Sequence, residues 1–228
     1  NSSTMFAAGY LRKPEVQTSY SSGSQGTYST GGYVWGDKLD IGRTALQYDP
    51  YTHEWVDMPL VSKGKNNLKN FQELSMVTNN NVSVSQKGKS LTHVYNKGQY
   101  PNQKLNKITY SVSGDMKWKK FSFDGGLTYN KRFYPNDMGA GYGGSGFLYN
   151  LLVWSGAEYD IRDYKNYWIK QDEQQNWMDT KWYDNPYFIA NEIVRSSDYD
   201  LINGYLSANY DFTPWLNLSL RSGLDSYS

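Results

Sequence analysis

Two carboxylate pairs, Asp172 with Glu173 and Asp160 with Asp163, are the residue types a glycosidase uses. One acid would protonate the leaving oxygen and the other carboxylate would act as nucleophile or base. Lys165 and Lys170 stand beside them in one long loop, so solvated loop charge is the reading they carry. His53 and His93 are the only histidines and there is no cysteine, which leaves no zinc set and no thiolate. The glycine-rich run from Gly139 to Gly146 lacks a Gly-Lys-Ser/Thr ending, so it is no phosphate loop. No catalytic constellation emerges, and the chain is read as a non-enzyme. No cofactor is expected, although a structural calcium on loop Asp and Asn oxygens stays open.

Binding chemistry is better represented. Trp154, Tyr159, Tyr164, Trp168, Trp177, Trp182 and Tyr183 crowd one stretch, with Asp160, Arg162 and Asp163 among them. Flat rings with polar tips suit the apolar faces of sugar rings, and neighbouring carboxylates and guanidinium suit hydroxyls. These ten are the candidate substrate- or partner-binding residues. The competing reading is that the rings pack the loop onto itself or onto a neighbour.

The elements that must position them are strands. From Ile108 to Ser113, from Phe121 to Asn130, from Ile202 to Tyr210 and from Leu216 to Leu224, apolar and small polar residues alternate. Successive strand side chains face opposite ways, so Phe121, Phe123, Leu127 and Tyr129 share one face and Ser122, Asp124, Gly126 and Thr128 the other. These strands approach the roughly ten tilted residues that cross a bilayer. With two further strands near 81–85 and 91–95 and a strand tail in 1–8, about seven strands are expected, plus a helical piece at 67–75.

Short turns at 86–89, 114–120 and 211–215 fall on one rim, and the long connections 9–78 and 131–199 on the other. That layout predicts an all-β fold, part of a large antiparallel transmembrane β-barrel with long extracellular loops and short periplasmic turns. Ser111, Asp124, Asn203 and Arg221 would line its lumen, and Trp118, Phe212 and Trp215 would sit in an interfacial girdle. His93 is read as a lumen or interface residue. The alternative is a soluble or surface-attached carbohydrate-binding β-sandwich or adhesin without transport.

Net charge is +1, so nothing in the charge balance suggests nucleic acid. No run of 18 or more apolar residues forms a transmembrane helix, a test that barrel strands do not register. The chain opens and closes inside strand patterns, so a fragment of a longer barrel is expected, with the remaining strands elsewhere.

Several segments together resemble the SusC/RagA family of TonB-dependent outer-membrane transporters. They are Tyr33-Val34-Trp35-Gly36-Asp37-Lys38-Leu39-Asp40, Thr78-Asn79-Asn80-Asn81-Val82-Ser83-Val84-Ser85 and Tyr95-Asn96-Lys97-Gly98-Gln99-Tyr100-Pro101-Asn102. Asp160-Ile161-Arg162-Asp163-Tyr164, Trp182-Tyr183-Asp184-Asn185-Pro186-Tyr187-Phe188 and the turn Tyr210-Asp211-Phe212-Thr213-Pro214-Trp215-Leu216 continue the series in order. The resemblance implies a 22-stranded barrel with an N-terminal plug, of which residues 1–228 would be early barrel strands, the plug and other strands lying outside. It implies the outer membrane of Bacteroidota, a SusD-like surface lipoprotein partner, drive by TonB–ExbBD through the plug, and uptake of oligosaccharides or oligopeptides. The 86–90 turn is shorter than the family pattern, and no TonB box is present.

Overall fold

The computed structural model describes residues 2–7, 15–30, 32–84, 88–136, 146–180 and 182–228. The chain forms, in order, β1 (Ser2–Ala7), β2 (Gly23–Ser24), β3 (Thr27–Tyr28), β4 (Thr44–Asp49), β5 (Glu54–Pro59), α1 (Asn67–Phe71), β6 (Ser75–Val84) and β7 (Lys89–Lys97). There follow β8 (Lys104–Trp118), β9 (Phe121–Asn136), α2 (Phe147–Leu152), β10 (Trp168–Lys170), β11 (Glu173–Gln174), α3 (Pro186–Asn191), β12 (Ser197–Thr213) and β13 (Leu216–Tyr227). Seven strands make one antiparallel sheet in the order β1-β6-β7-β8-β9-β12-β13, and the other strands form three small hairpins.

Strand registers turn the alternation into two opposed faces. One row across six strands is polar throughout: Ser83, Ser90, Ser111, Thr128, Asn203 and Asp225 stand opposite one another in turn. The row beside it, on the other face, reads Val82, Leu91, Tyr110, Tyr129, Ile202 and Ser226. Nearer the short turns that apolar face continues through Met116, Phe123, Ala208 and Leu220, then Trp118, Phe121, Tyr210 and Leu218. Three of the four residues in the last row are aromatic, with Phe121 4.4 Å from Tyr210, and Phe212 beyond the row packs 4.6 Å from Tyr210. His93 stands opposite Asn80 and Ile108, which puts it on the apolar face and not the polar one.

The strands are longer than their sequence patterns suggest. β8 runs through Met116 to Trp118, so its turn is Lys119 and Lys120 alone, where seven turn residues were expected. Lys119 takes φ 55, the left-handed conformation that lets so short a turn close. Pro214 and Trp215 alone join β12 to β13, after a register shift between Asp211 and Thr213. β9 extends to Asn136 and β12 starts at Ser197, which trims the 131–199 loop at both ends. α1 stops at Phe71, four residues short of the expected 67–75, and Ser75 already belongs to β6. The 86–89 turn lies partly outside the described residues; β6 ends at Val84 and β7 begins at Lys89.

Among the described residues, none of the seven-stranded sheet belongs to a buried apolar cluster. The buried apolar cluster comprises Tyr48, Phe71, Phe147, Leu151, Tyr159, Ile161, Tyr164, Trp177, Met178, Tyr187, Ile189 and Ala190, all from the long connections. Leu206, Leu220 and Leu224 on the apolar face remain 63%, 66% and 62% exposed. Among the described residues of the seven strands, only Ser75 and Asn136, at their long-loop ends, are buried.

Candidate functional site

The two long connections fold together into a cap at one end of the sheet. Three rings from two other connections meet around Phe71: Tyr100, between β7 and β8, at 6.2 Å, and Phe147 and Tyr187, between β9 and β12, at 5.5 and 5.0 Å. Trp177 lies at the centre, fully buried, 4.8 Å from Tyr164, with its indole N–H donating to the Asn150 carbonyl at 3.2 Å. Local sequence explains the short helices. Asn185 caps α3 by accepting from the Tyr187 N–H at 2.9 Å, and Pro186 follows at the first helical position. Asp160 does the same for the 3-10 turn Ile161–Tyr164, accepting from the Arg162 N–H at 3.0 Å.

Burial divides the ten candidate loop residues. Tyr159, Tyr164 and Trp177 are 3%, 1% and 0% exposed, so they pack the cap and present no face to a ligand. Asp160 is buried too and receives the Arg162 guanidinium fork, at 3.0 and 2.5 Å. Burial alone pushes the Asp160 carboxyl up, but the Arg162 side chain and N–H outweigh it and hold the group below the usual Asp range. Asp163 accepts from the Tyr51 hydroxyl at 2.8 Å. Trp168 packs edge-on against Phe188 at 5.3 Å, and Trp154 stacks on Tyr183 at 6.2 Å. Trp182 is 82% exposed and Arg162 is exposed beyond its ion pair. The accessible part of the expected set is therefore Trp182 and Arg162, with the half-buried Trp154, Asp163, Trp168 and Tyr183 beside them.

The first long connection, which the aromatic count passes over, holds an open groove. A groove of about 480 Å³ is lined by Thr27, Tyr28, Asp37, Leu46 and Trp55. Trp55 is held edge-on by Tyr48 at 6.0 Å and stays 42% exposed. Asp37 is held by Arg43 and by the Tyr28 N–H. Burial pushes the Tyr28 hydroxyl up to about 12, so it stays protonated and hydrogen-bonds to Tyr159. The one trace of this groove in the sequence is the hydroxyl-bearing run Thr27-Tyr28-Ser29-Thr30; that Trp55 lies beside it follows only from the fold.

The four residues expected to share the polar face do so. Ser111 bonds Thr128 at 3.1 Å, Asn203 donates to Asp225 at 2.5 Å, and Asp124, Ser207 and Arg221 stand in register. The alternation puts Tyr205 on this face too, outside the four candidates, and its ring lies across Gly126: a Cβ there would sit 2.9 Å from the ring. The Arg221 guanidinium rests over that ring at 4.4 Å.

Of the other chemistry-bearing residues, Glu173 and His53 find structural partners. Asp172 takes φ 61 in the β10–β11 turn, and Glu173 pairs with Lys170 at 2.7 Å on the surface. The Nδ1 of His53 lies 2.7 Å from the Gln175 amide oxygen, joining the two long connections. Among the described residues no group of three His, Cys, Asp or Glu side chains could hold a metal ion. Gly139 to Ser145 lie outside the described residues.

No protein-family model matches the chain. No curated protein matches it significantly.

Proposed function

We propose that the chain is part of an outer-membrane importer of the SusC/RagA type, with the seven strands spanning lipid and the cap facing outward. The observation that carries this reading is a sheet with two opposed, uncovered faces, one apolar and one polar. In water an apolar face of this size demands a second layer, and the buried cluster includes no residue of these strands. Lipid on one side and a wet lumen on the other satisfies both faces. From the Trp118 row to the Tyr110 row is eight residues of β8. That is about 27 Å along the strand, or about 20 Å along the normal at a tilt near 40°. The open edges of β1 and β13 are where further strands would close the barrel.

In this reading Ser111, Asp124, Asn203, Tyr205 and Arg221 line the transport path. The groove at Trp55 and the exposed Trp182 and Arg162 meet an oligosaccharide or oligopeptide, or a SusD-like lipoprotein. TonB–ExbBD would act through a plug, and no bond of the substrate is broken. The rival reading, a carbohydrate-binding sandwich or adhesin, requires a second sheet over the apolar face.

Membrane fractionation tests the proposal. The full-length protein is expected in the outer-membrane fraction, released only by detergent. Release into aqueous buffer as a monodisperse species would contradict it.

A further inference from the structure

Beside the contacts of His53 with Gln175 and of Tyr51 with Asp163, the two long connections meet along a seam. Residues 156–161 of the second long connection are bonded to the first at almost every position. The Gly156 N–H donates to the Ser22 hydroxyl at 3.0 Å, and the Gly64 N–H to the Ala157 carbonyl at 2.6 Å. Asn67 bonds both the Tyr159 carbonyl and the Ile161 N–H, at 2.8 and 2.9 Å. Gly156 and Gly64 are required for this approach: a Cβ on Gly156 would lie 2.4 Å from the Ser22 nitrogen, and one on Gly64 1.8 Å from the Tyr159 carbonyl oxygen.

At the middle of the seam is Glu158, fully buried. One carboxyl oxygen accepts from the Ser22 N–H at 2.8 Å. The other is buried with no hydrogen-bond partner among the described residues. A buried carboxylate oxygen without a partner is costly, and a proton relieves that cost. Nothing in the transport reading uses this group.

We propose that Glu158 is a proton-operated latch between the two long connections. With the proton on, its carboxyl rests in the seam against Ser22; with the proton off, its charge draws residues 156–161 toward water and the cap parts there. The inference goes beyond the importer reading, because the seam joins two connections whether or not the sheet crosses lipid.

Burial raises the Glu158 carboxyl above the usual Glu range, while the Ser22 bonds and Lys63 pull the other way. The other ionisable groups facing it are the hydroxyls of Tyr28 and Tyr159. Both are themselves raised by burial and stay neutral through the relevant pH range. The docked seam thus binds more protons than the parted one. Docking is fully favoured below the ordinary Glu value and weakens as pH rises through the raised one, by at most about tenfold per pH unit for one proton. Asp160, also on the seam, is lowered and works in the opposite sense at more acidic pH.

Hydrogen exchange of the full-length protein in detergent, from about pH 5 to about pH 8 and corrected for the intrinsic rate, tests the latch. Protection at Ser22 and Gly156 should fall with pH by up to about tenfold per unit, while peptides of β9 hold constant. Glu158→Gln, which keeps the acceptor and loses the titration, should stay protected with a flat profile. A flat wild-type profile, a slope that persists in Glu158→Gln, or protection that rises with pH each overturns the proposal. Should Glu158→Gln lose the β9 protection that reports a folded sheet, Ser22→Ala replaces it. That variant must lower Gly156 protection and keep the wild-type slope, and a lost slope contradicts the latch. None of these failures touches the detergent requirement on which the importer reading rests.

Discussion

At the scale of single residues, burial separates rings that hold the cap from rings that are free to touch something. Trp177 has no exposed surface, so Trp177→Ala leaves a cavity and should destabilise the cap by about 3–5 kcal/mol. Trp182 is mostly in water, so Trp182→Ala should change stability by less than about 0.5 kcal/mol. Denaturant unfolding followed by near-ultraviolet dichroism measures both, and equal effects would contradict the packing described. The same contrast marks the limit of sequence. Residue type showed that Trp and Tyr in this stretch could stack on sugars or on each other. It did not show which, because Tyr159, Tyr164 and Trp177 are buried by partners such as Tyr28, Asn150 and Asn67, up to 131 positions away.

At the scale of elements, alternation made the hairpins legible and their ends obscure. The period-two pattern identified the strands from Phe121 and from Ile202, and the polar residues Ser111, Asp124, Asn203 and Arg221 fall on one face as the pattern requires. The ends were missed for local reasons. Gly114, Asp115 and Lys117 are poor strand formers, yet they remain in β8 because β9 pairs with them through Trp118 opposite Phe121. α3 carried a readable start signal, Asn185 before Pro186, but six residues are too few for helical periodicity to register.

Face assignment makes a sharp prediction. Leu206 sits over Gly125 midway along the apolar face, and Leu206→Arg should cost about 2–4 kcal/mol of folding into bilayers. Asn209→Arg, on the polar face, should cost less than about 1 kcal/mol. Folding titrations in lipid vesicles read both, and equal costs would remove the distinction between the faces. In the β8–β9 turn, Lys119→Gly should gain about 1 kcal/mol in the same assay, because the left-handed φ of 55 strains a lysine but not a glycine.

At the scale of the whole molecule, the division of labour is unusual for a chain in water. The sheet supplies length and two faces, and the cap supplies the buried core. The connections sort by rim as the sequence predicts: two-residue turns follow β8 and β12, and the cap-forming connections follow β1 and β9. The association of the two long connections was not legible, because single bonds between distant positions, such as Ser22 with Glu158 and His53 with Gln175, leave no local pattern. Because the chain has no cysteine, single cysteines can be placed along β13 and spin-labelled without background. Accessibility of labels at positions 217–224 to oxygen and to a water-soluble nickel chelate, in lipid bilayers, tests the central claim most directly. Oxygen access should peak at Leu218, Leu220 and Leu224 and nickel access at Asn217, Ser219 and Gly223, whereas nickel access without this two-residue period would contradict a membrane-spanning sheet.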